Sequence, residues 1–157
     1  MRQRLSKLLQ KKEIKSTFKC EIYKHPGYDV NEAFTNKYAI DFAKTINTSK
    51  ITLTCSMIYR NRLAKYPEIA MCGSALAADL PNQDQEDFKN FMIVLDNNMS
   101  NKEIVKKLIY YLEHDNERQK LIDKGLKWSL NYTQEKYAER FINAVNIFLN
   151  EYKSRVR

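Results

Sequence analysis

Apolar residues recur along the chain either at helical spacing or in short continuous runs. The runs predict strands at residues 17–23, 51–55, 75–78 and 92–95. Helical spacing predicts helices at residues 2–12, about 32–46, 64–72 and around Phe88. Alternating strands and helices predict an α/β fold, a Rossmann-like parallel sheet of about four strands with helices on both faces.

The last third of the chain, residues 100–152, reads as a helical C-terminal tail. Ser100 followed by Glu103 is the pattern of a capping box at a helix start. Two further helices are predicted after Asp115 and after Thr133. Trp128 falls within an apolar stripe and is predicted to be core, whereas His114, at a helix end, needs no catalytic role.

Length and composition predict one domain spanning residues 1–157. The chain has 157 residues, of which 43% are hydrophobic, enough for a real core. Its three cysteines form no CxxC pair, so neither a disulfide framework nor a metal site is expected. The sequence contains no run of 18 apolar residues and no signal-peptide pattern, so we expect a cytoplasmic protein without a membrane span.

The positive charge is concentrated at the start of the chain. Residues 1–24 carry eight Lys or Arg against two Glu, which accounts for +6 of the net charge of +8. Such an arm can bind nucleic acid or an anionic membrane surface. Alternatively, the basic first helix of residues 1–15 docks through Leu5, Leu8, Leu9 and Ile14, and its lysines form a solvated face. Aromatic residues do not alternate with the charges as single-strand binding requires, which favours the second interpretation.

The segment from Lys65 to Asp79 carries the first resemblance to a known family. It reads as a helix that ends at Gly73 and leads into a buried strand, with Glu68 about one turn before the glycine. The pattern Pro-Glu-x-x-x-Cys-Gly, a small apolar run and Asp resembles the donor-binding half of two-domain, GT-B type glycosyltransferases. The most similar branch is related to spore-maturation glycosyltransferases.

Other pieces of the chain follow that branch in order and spacing from His25 to about Leu149. They are the His25-Pro-Gly-Tyr28 turn, the strand after Ser49-Lys50, Asp79-Leu-Pro81, Met99-Ser-Asn-Lys-Glu103, and the ending from Tyr110 to Arg118. No single piece is specific, but their order strengthens the resemblance.

The resemblance implies that a nucleotide-sugar donor is bound for transfer of a hexosyl group to an unknown acceptor, with no metal or other cofactor. The glutamate matching Glu68 accepts hydrogen bonds from the ribose hydroxyls, a task suited to a carboxylate. The alternative is that Glu68 caps or pairs with its own helix start. Lys65 stands where the branch usually has arginine, and could neutralise a diphosphate as a point charge.

Four more residues are candidates for the donor site. Arg60 and Arg62 lie in the loop before the Glu68 helix, where they could stabilise a leaving diphosphate; otherwise they are solvated. His25 and Tyr28 could line the same crevice and stack on a base, although His25 also fits a simple turn. Many relatives have a second glutamate where this chain has Arg60, so the paired-glutamate pattern is absent.

Compared with the family, the sequence looks like a truncated donor-binding half. Family members carry a preceding acceptor-binding domain, then a first strand and a glycine-containing turn before such a helix, whereas this sequence begins at the helix. We therefore expect a companion acceptor-binding domain or self-association. Two alternatives remain open: a non-catalytic binding or structural remnant of the fold, and a nucleic-acid-binding module.

Overall fold

The computed structural model describes residues 1–23, 32–56 and 58–155. The described chain alternates helices and strands before a helical tail. Its elements are α1 (Arg2–Leu9), α2 (Lys12–Thr17), α3 (Glu32–Asn47), β1 (Ile51–Leu53), α4 (Lys65–Met71), β2 (Ala75–Ala78), α5 (Gln85–Phe91), β3 (Ile93–Val94), α6 (Asn101–Glu113), α7 (Asp115–Ser129), a 3₁₀ turn (Leu130–Tyr132) and α8 (Gln134–Arg155).

The three strands form one parallel sheet in the order β1-β2-β3. Ile51 lies beside Ala75 in the first pair, and Ala77 lies beside Ile93 in the second. Helices cover both faces of this sheet, so the predicted Rossmann-like α/β fold is confirmed. Because β2 lies between two neighbours and under helices on both sides, all four of its residues are buried.

The predicted strand at 17–23 is wrong. Helix α2 continues to Thr17, whose hydroxyl donates to the carbonyl of Glu13, and residues 18–23 form neither helix nor strand. Phe18 and Cys20 pack against the core while Lys19 and Glu21 point to solvent. This alternation suits a segment with one covered face, whereas a strand inside a doubly covered parallel sheet is apolar on both faces.

The single helix predicted over residues 2–12 is two helices. Lys11 between them is extended, with φ −63° and ψ 137°. In one continuous helix Ile14 would lie about 140° around the axis from Leu9. The break at Lys11 brings Ile14 into the same buried cluster as Leu5, Leu8 and Leu9.

Two apolar clusters cover opposite faces of the sheet. Ala75 and Ala77 of β2 contribute to the first, whereas Leu76 and Ala78 contribute to the second, as the alternation of side chains along a strand requires. Helices α1, α2 and α6, together with Ile93 of β3 and Leu95 just after it, supply the other buried residues of the first cluster. The second is built with α3, α4 and α5, and Trp128 of α7 packs on it as its stripe predicts.

Helix α7 packs closely on α4 and α5 because it carries Gly125 at the crossing. A Cβ atom at Gly125 would lie 3.1 Å from Cδ2 of Phe91 and 3.6 Å from Cβ of Ala70. Phe91 cannot easily retreat, since its ring also lies 5.0 Å from that of Trp128. A glycine inside a helix therefore serves close approach here.

The helical tail begins with the predicted capping box. The Ser100 hydroxyl accepts from the backbone N–H of Glu103, and the Glu103 carboxylate accepts from the N–H of Ser100. Helix α8 differs from the other long helices in the described chain because none of its residues is buried. None of the described helices is long and apolar enough to cross a bilayer.

Candidate functional site

The candidate site lies at the carboxyl edge of the sheet. Because the strands are parallel, the segments that follow β1 and β2 leave the sheet at the same edge. The segment after β1 leads to α4, and Glu68 lies in the first turn of that helix. Its backbone N–H donates to the carbonyl of Ala64 at 3.2 Å, while its side chain is exposed. The local sequence thus places an available carboxylate where a ligand can reach it.

A buried carboxylate joins the ends of β1 and β2 beneath this edge. Asp79 accepts from the backbone N–H of Ser56 at 2.8 Å and from the Ser56 hydroxyl at 2.6 Å. The Asp79 carbonyl accepts from the Tyr66 hydroxyl at 2.8 Å, which ties α4 to the same point. Burial, followed by the nearby Asp79 and Cys55, raises the pKa of Tyr66, so this phenol stays a donor. These bonds fix where α4 begins.

Sequence reasoning gave Ser56 and Asp79 no role. A signal was present, since an Asp directly after a four-residue apolar strand lies at the carboxyl edge of a parallel sheet. The sequence did not identify Ser56 as the partner of Asp79, because the two residues are 23 positions apart.

Hydrogen bonds join the loop after β1 to the loop after β2. The N–H of Asn82 donates to the carbonyl of Arg60 at 2.7 Å, and the N–H of Arg62 donates to Oε1 of Gln83 at 3.0 Å. Arg60 and Asp84 both adopt φ of 54°, in the left-handed region that costs a non-glycine residue roughly 1–2 kcal/mol. These hydrogen bonds hold the strained backbone in place, and the Arg60 side chain remains exposed.

Arg62 is paired rather than solvated. Its guanidinium forms a salt bridge with Asp84 and donates to the Tyr132 hydroxyl at 2.6 Å. It also lies 4.3 Å from the centroid of the Tyr132 ring. These contacts connect the loop after β1 with the start of α5 and with the turn before α8. Part of the positive charge of Arg62 is therefore already balanced by Asp84.

Three aromatic rings form a cluster at α3, and one of them, Tyr38, is within electrostatic reach of Glu68. Tyr23, Tyr38 and Phe42 have ring centroids 5.3 to 6.0 Å apart, and Tyr38 and Phe42 belong to α3. Burial, then Tyr23 and then the Glu68 carboxylate raise the pKa of Tyr38. Burial followed by Glu68 likewise raises the pKa of Cys72. Glu68 is thus within electrostatic reach of α3, and only the four-residue spacing of Tyr38 and Phe42 hinted at this ring cluster.

Four of the six residues predicted for the donor site lie on one continuous segment of the described chain. Glu68 and Lys65 share the first turn of α4, and Arg60 and Arg62 lie in the loop leading to it. His25 and Tyr28 fall outside the described residues. Within the described ranges, no three His, Cys, Asp or Glu side chains are grouped as a metal site would require.

A second, shallow groove runs along α1 at the start of α6. It is lined by Gln3, Lys7, Lys11 and Asn101, and Arg4 also borders it. The Arg4 guanidinium donates to Oδ1 of Asn101 and to the carbonyls of Asn97 and Met99, so it ties α1 to the loop before α6. The groove is open and its polar wall consists largely of surface side chains. The edge at Glu68 is the better-organised candidate site.

Comparison with known proteins identifies one family for this chain. The sequence model of one family, described as glycosyl transferase-like, matches residues 2–150. Searches of curated proteins and of solved structures returned no match. The family match covers nearly the whole chain, from α1 into α8, and includes every described element of the candidate site. The chain belongs to the glycosyl transferase-like family.

Proposed function

We propose that the chain is the donor-binding half of a GT-B type glycosyltransferase and binds a nucleotide-sugar at the carboxyl edge of its sheet. The observation that carries this proposal is the exposed Glu68 carboxylate in the first turn of α4. The family match supports the reaction class, transfer of a sugar from an activated donor. In this proposal the acceptor is presented by a companion acceptor-binding domain.

Different side chains bind different parts of the donor. Glu68 accepts from the two ribose hydroxyls, because an ionised carboxylate offers acceptors only and can take both donors at once. Lys65, three residues earlier on α4, and the exposed Arg60 provide positive charge for the diphosphate. His25 and Tyr28 complete the wall of the crevice in this proposal.

Arg62 has a narrower role in this proposal. Its salt bridge with Asp84 and its contact with Tyr132 hold the loop in a fixed conformation. The charge it can offer to a diphosphate is correspondingly smaller, so Arg60 and Lys65 carry more of the task. The site then needs no metal ion, because these cations balance the charge that develops on the leaving group.

A second candidate function is binding without turnover. It is favoured by Arg60, which by the resemblance stands where many glycosyltransferases of the broader class carry a second glutamate, and by the pairing of Arg62 with Asp84. Such a protein would bind the donor through Glu68 but would leave its glycosidic bond intact.

A thermal-shift experiment with a panel of nucleoside diphosphates and nucleotide-sugars tests the site. A ligand at about a hundred times its dissociation constant adds about 2.7 kcal/mol to the free energy of unfolding. That corresponds to roughly 5 to 10 °C in melting temperature for a domain of this size. Glu68→Gln should remove most of this shift and leave the melting temperature without ligand nearly unchanged.

Glu86→Gln is the matched control, since Glu86 is also an exposed glutamate in the first turn of a short helix. It should keep the full ligand response. If Glu68→Gln instead lowers the ligand-free melting temperature strongly and neither form responds to any ligand, Glu68 is a structural cap and the proposal fails. A ligand response without release of sugar, in the presence of the acceptor domain, would identify the non-catalytic binder.

A further inference from the structure

Helix α8 exposes an apolar face that the described part of the chain does not cover. It spans 22 residues, and none of them is buried. Seven large apolar residues fall on one side of it: Tyr137, Phe141, Ile142, Val145, Phe148, Leu149 and Tyr152. A helix with such a stripe gains most of its stability by burying it against another surface.

The spacing of this face matches a helix-pairing seam. Ala138, Phe141, Val145, Phe148 and Tyr152 follow one another at intervals of three, four, three and four residues. These are the a and d positions of a heptad repeat, which mesh with a second helix of similar pattern. Ile142 and Leu149 lie beside the seam at e positions and widen it.

We propose that α8 pairs with α8 of a second copy of this chain in antiparallel orientation. In the register centred between residues 146 and 147, Phe141 faces Tyr152 of the second copy and Val145 faces its Phe148. Ile142 faces Leu149 in the adjacent row. Each contact occurs twice because the interface is self-complementary, as a two-fold dimer requires. All the large residues from 141 to 152 on this side are then used.

The charges of α8 favour a second copy in this orientation. Its first turn carries Glu135 and Lys136, whose charges balance, and its last turn carries Lys153 and Arg155. Antiparallel pairing brings opposite ends together, so the helix dipoles attract and the two basic last turns stay apart, whereas parallel pairing aligns the dipoles and places the two basic ends side by side. The helix carries three Glu against four Lys or Arg. It therefore lacks the predominantly basic polar face of a helix that lies on an anionic membrane.

The area available is sufficient for a specific dimer. The six side chains that this register uses are between 39% and 66% exposed, and a fully buried aromatic side chain removes about 150–250 Å² from water. Their complete burial would remove about 600 Å² per copy, or about 1,200 Å² for the pair, which reaches the lower end of the range for stable interfaces.

Sedimentation equilibrium of the full chain across the micromolar range tests the pairing. We expect reversible association from monomer to dimer. Phe148→Glu should weaken dimerisation at least about a hundredfold, because it places a charge in the seam. Ile147→Glu is the matched control, since Ile147 is the adjacent residue and is 60% exposed against 66% for Phe148, but lies at c, off the seam. It should change the dissociation constant by less than about threefold.

Mixing two variants tests the orientation. Phe141→Glu and Tyr152→Lys should each weaken self-association, and their mixture should form a heterodimer in which the introduced carboxylate and ammonium groups meet across the seam. Parallel pairing would place each new charge against an unchanged copy of the same residue, so the mixture would not recover. Circular dichroism at low concentration confirms that each variant remains folded.

The proposal is overturned if the chain is monomeric at every concentration, which would assign the face to another occupant. It is also overturned if the Phe148→Glu chain still dimerises, or if the two variants fail to associate when mixed. None of these results depends on donor binding, so they are separate from the test of Glu68.

Discussion

At the scale of single residues, the candidate site depends on a carboxylate that is buried beneath it. Asp79 is buried, and its two oxygens accept the N–H and the hydroxyl of Ser56. Its carbonyl accepts from Tyr66, the most buried aromatic residue of α4. Asp79 therefore positions the helix that carries Glu68 rather than contributing to the chemistry itself.

Replacing Asp79 by Ala should lower the free energy of unfolding by about 3 kcal/mol. The change leaves two donors of Ser56 buried without an acceptor, and the loss of a bond to a charged group costs about 1.5–3 kcal/mol. Urea unfolding measures this. Asp96→Ala is the control, because Asp96 follows β3 but is exposed, and its carboxylate accepts from the N–H of Asn98. A similar loss in both variants would contradict the structural role of Asp79.

At the scale of elements, a local sequence signal can fix where a helix begins, and this effect does not depend on the rest of the fold. The capping box of α6 is such a signal, since Ser100 and Glu103 satisfy each other's backbone donors. Hydrogen bonds from the side chain and the backbone of Ser100 hold the pKa of Glu103 below its usual range. Part of the stability that this cap provides therefore depends on the negative charge of Glu103.

Ser100→Ala should cost about 1 kcal/mol of stability at neutral pH. It should also reduce the amount by which the free energy of unfolding falls as the pH is lowered into the acid range. The folded-state pKa of Glu103 is lowered, so the unfolded chain binds more protons in that range. The stabilisation is fully present above the ordinary carboxyl pKa and is lost as the pH falls through the folded-state value. Urea unfolding from neutral pH into that acid range measures both effects.

Ser16→Ala provides the comparison for this prediction. The Ser16 hydroxyl donates to the carbonyl of Glu13 within α2 and accepts no capping bond. Its removal should change stability by no more than about 0.5 kcal/mol and leave the pH dependence unaltered. An unchanged acid decline in the Ser100→Ala chain would mean that other carboxylates dominate it.

At the scale of the whole molecule, the fold separates an apolar inner side of the first segment from a basic outer side. Leu5, Leu8, Leu9 and Ile14 are buried in the first cluster. Lys7, Lys11, Lys12 and Lys15 line the outer side, and of these Lys11 lies 3.9 Å from Glu13. This arrangement is that of a docked helix pair with a solvated face, as the apolar stripe predicts.

Exchanging Lys7, Lys11, Lys12 and Lys15 for Gln should change stability by no more than about 0.5 kcal/mol for each residue. Duplex DNA should bind the unaltered chain only in the non-specific range, about 10⁻⁴ to 10⁻⁶ M at physiological salt, with a steep salt dependence that the exchanges reduce. Fluorescence anisotropy at several salt concentrations measures this. Tight, sequence-dependent binding would instead support the nucleic-acid module.

The candidate site was only partly predictable. Glu68 could be placed on the first turn of a helix at the sheet edge, because Pro67, Gly73 and the strand after it are local signals. The pairing of Arg62 with Asp84 and Tyr132 could not be predicted, since these partners lie 22 and 70 positions away in the sequence. Charge and loop position alone do not show whether an arginine is already paired.

The amino-acid sequence was enough to predict the elements whose signals are contained within a few residues. Strand β2 has the predicted bounds of 75–78, and α6 begins at its capping box. The α/β order followed from the same periodicities. These features depend on short-range sterics and hydrogen bonds, which the neighbouring residues fix wherever the segment lies.

How these elements are divided and joined depends on contacts between distant parts of the fold. The tertiary structure broke the first helix at Lys11 so that Ile14 could reach the core, and it gave Phe18 and Cys20 a packed segment instead of a fourth strand. It also showed that the stripe of α8 is uncovered in the described chain. Each outcome depends on which distant surface meets a side chain, and the free energy of that burial outweighs local propensity.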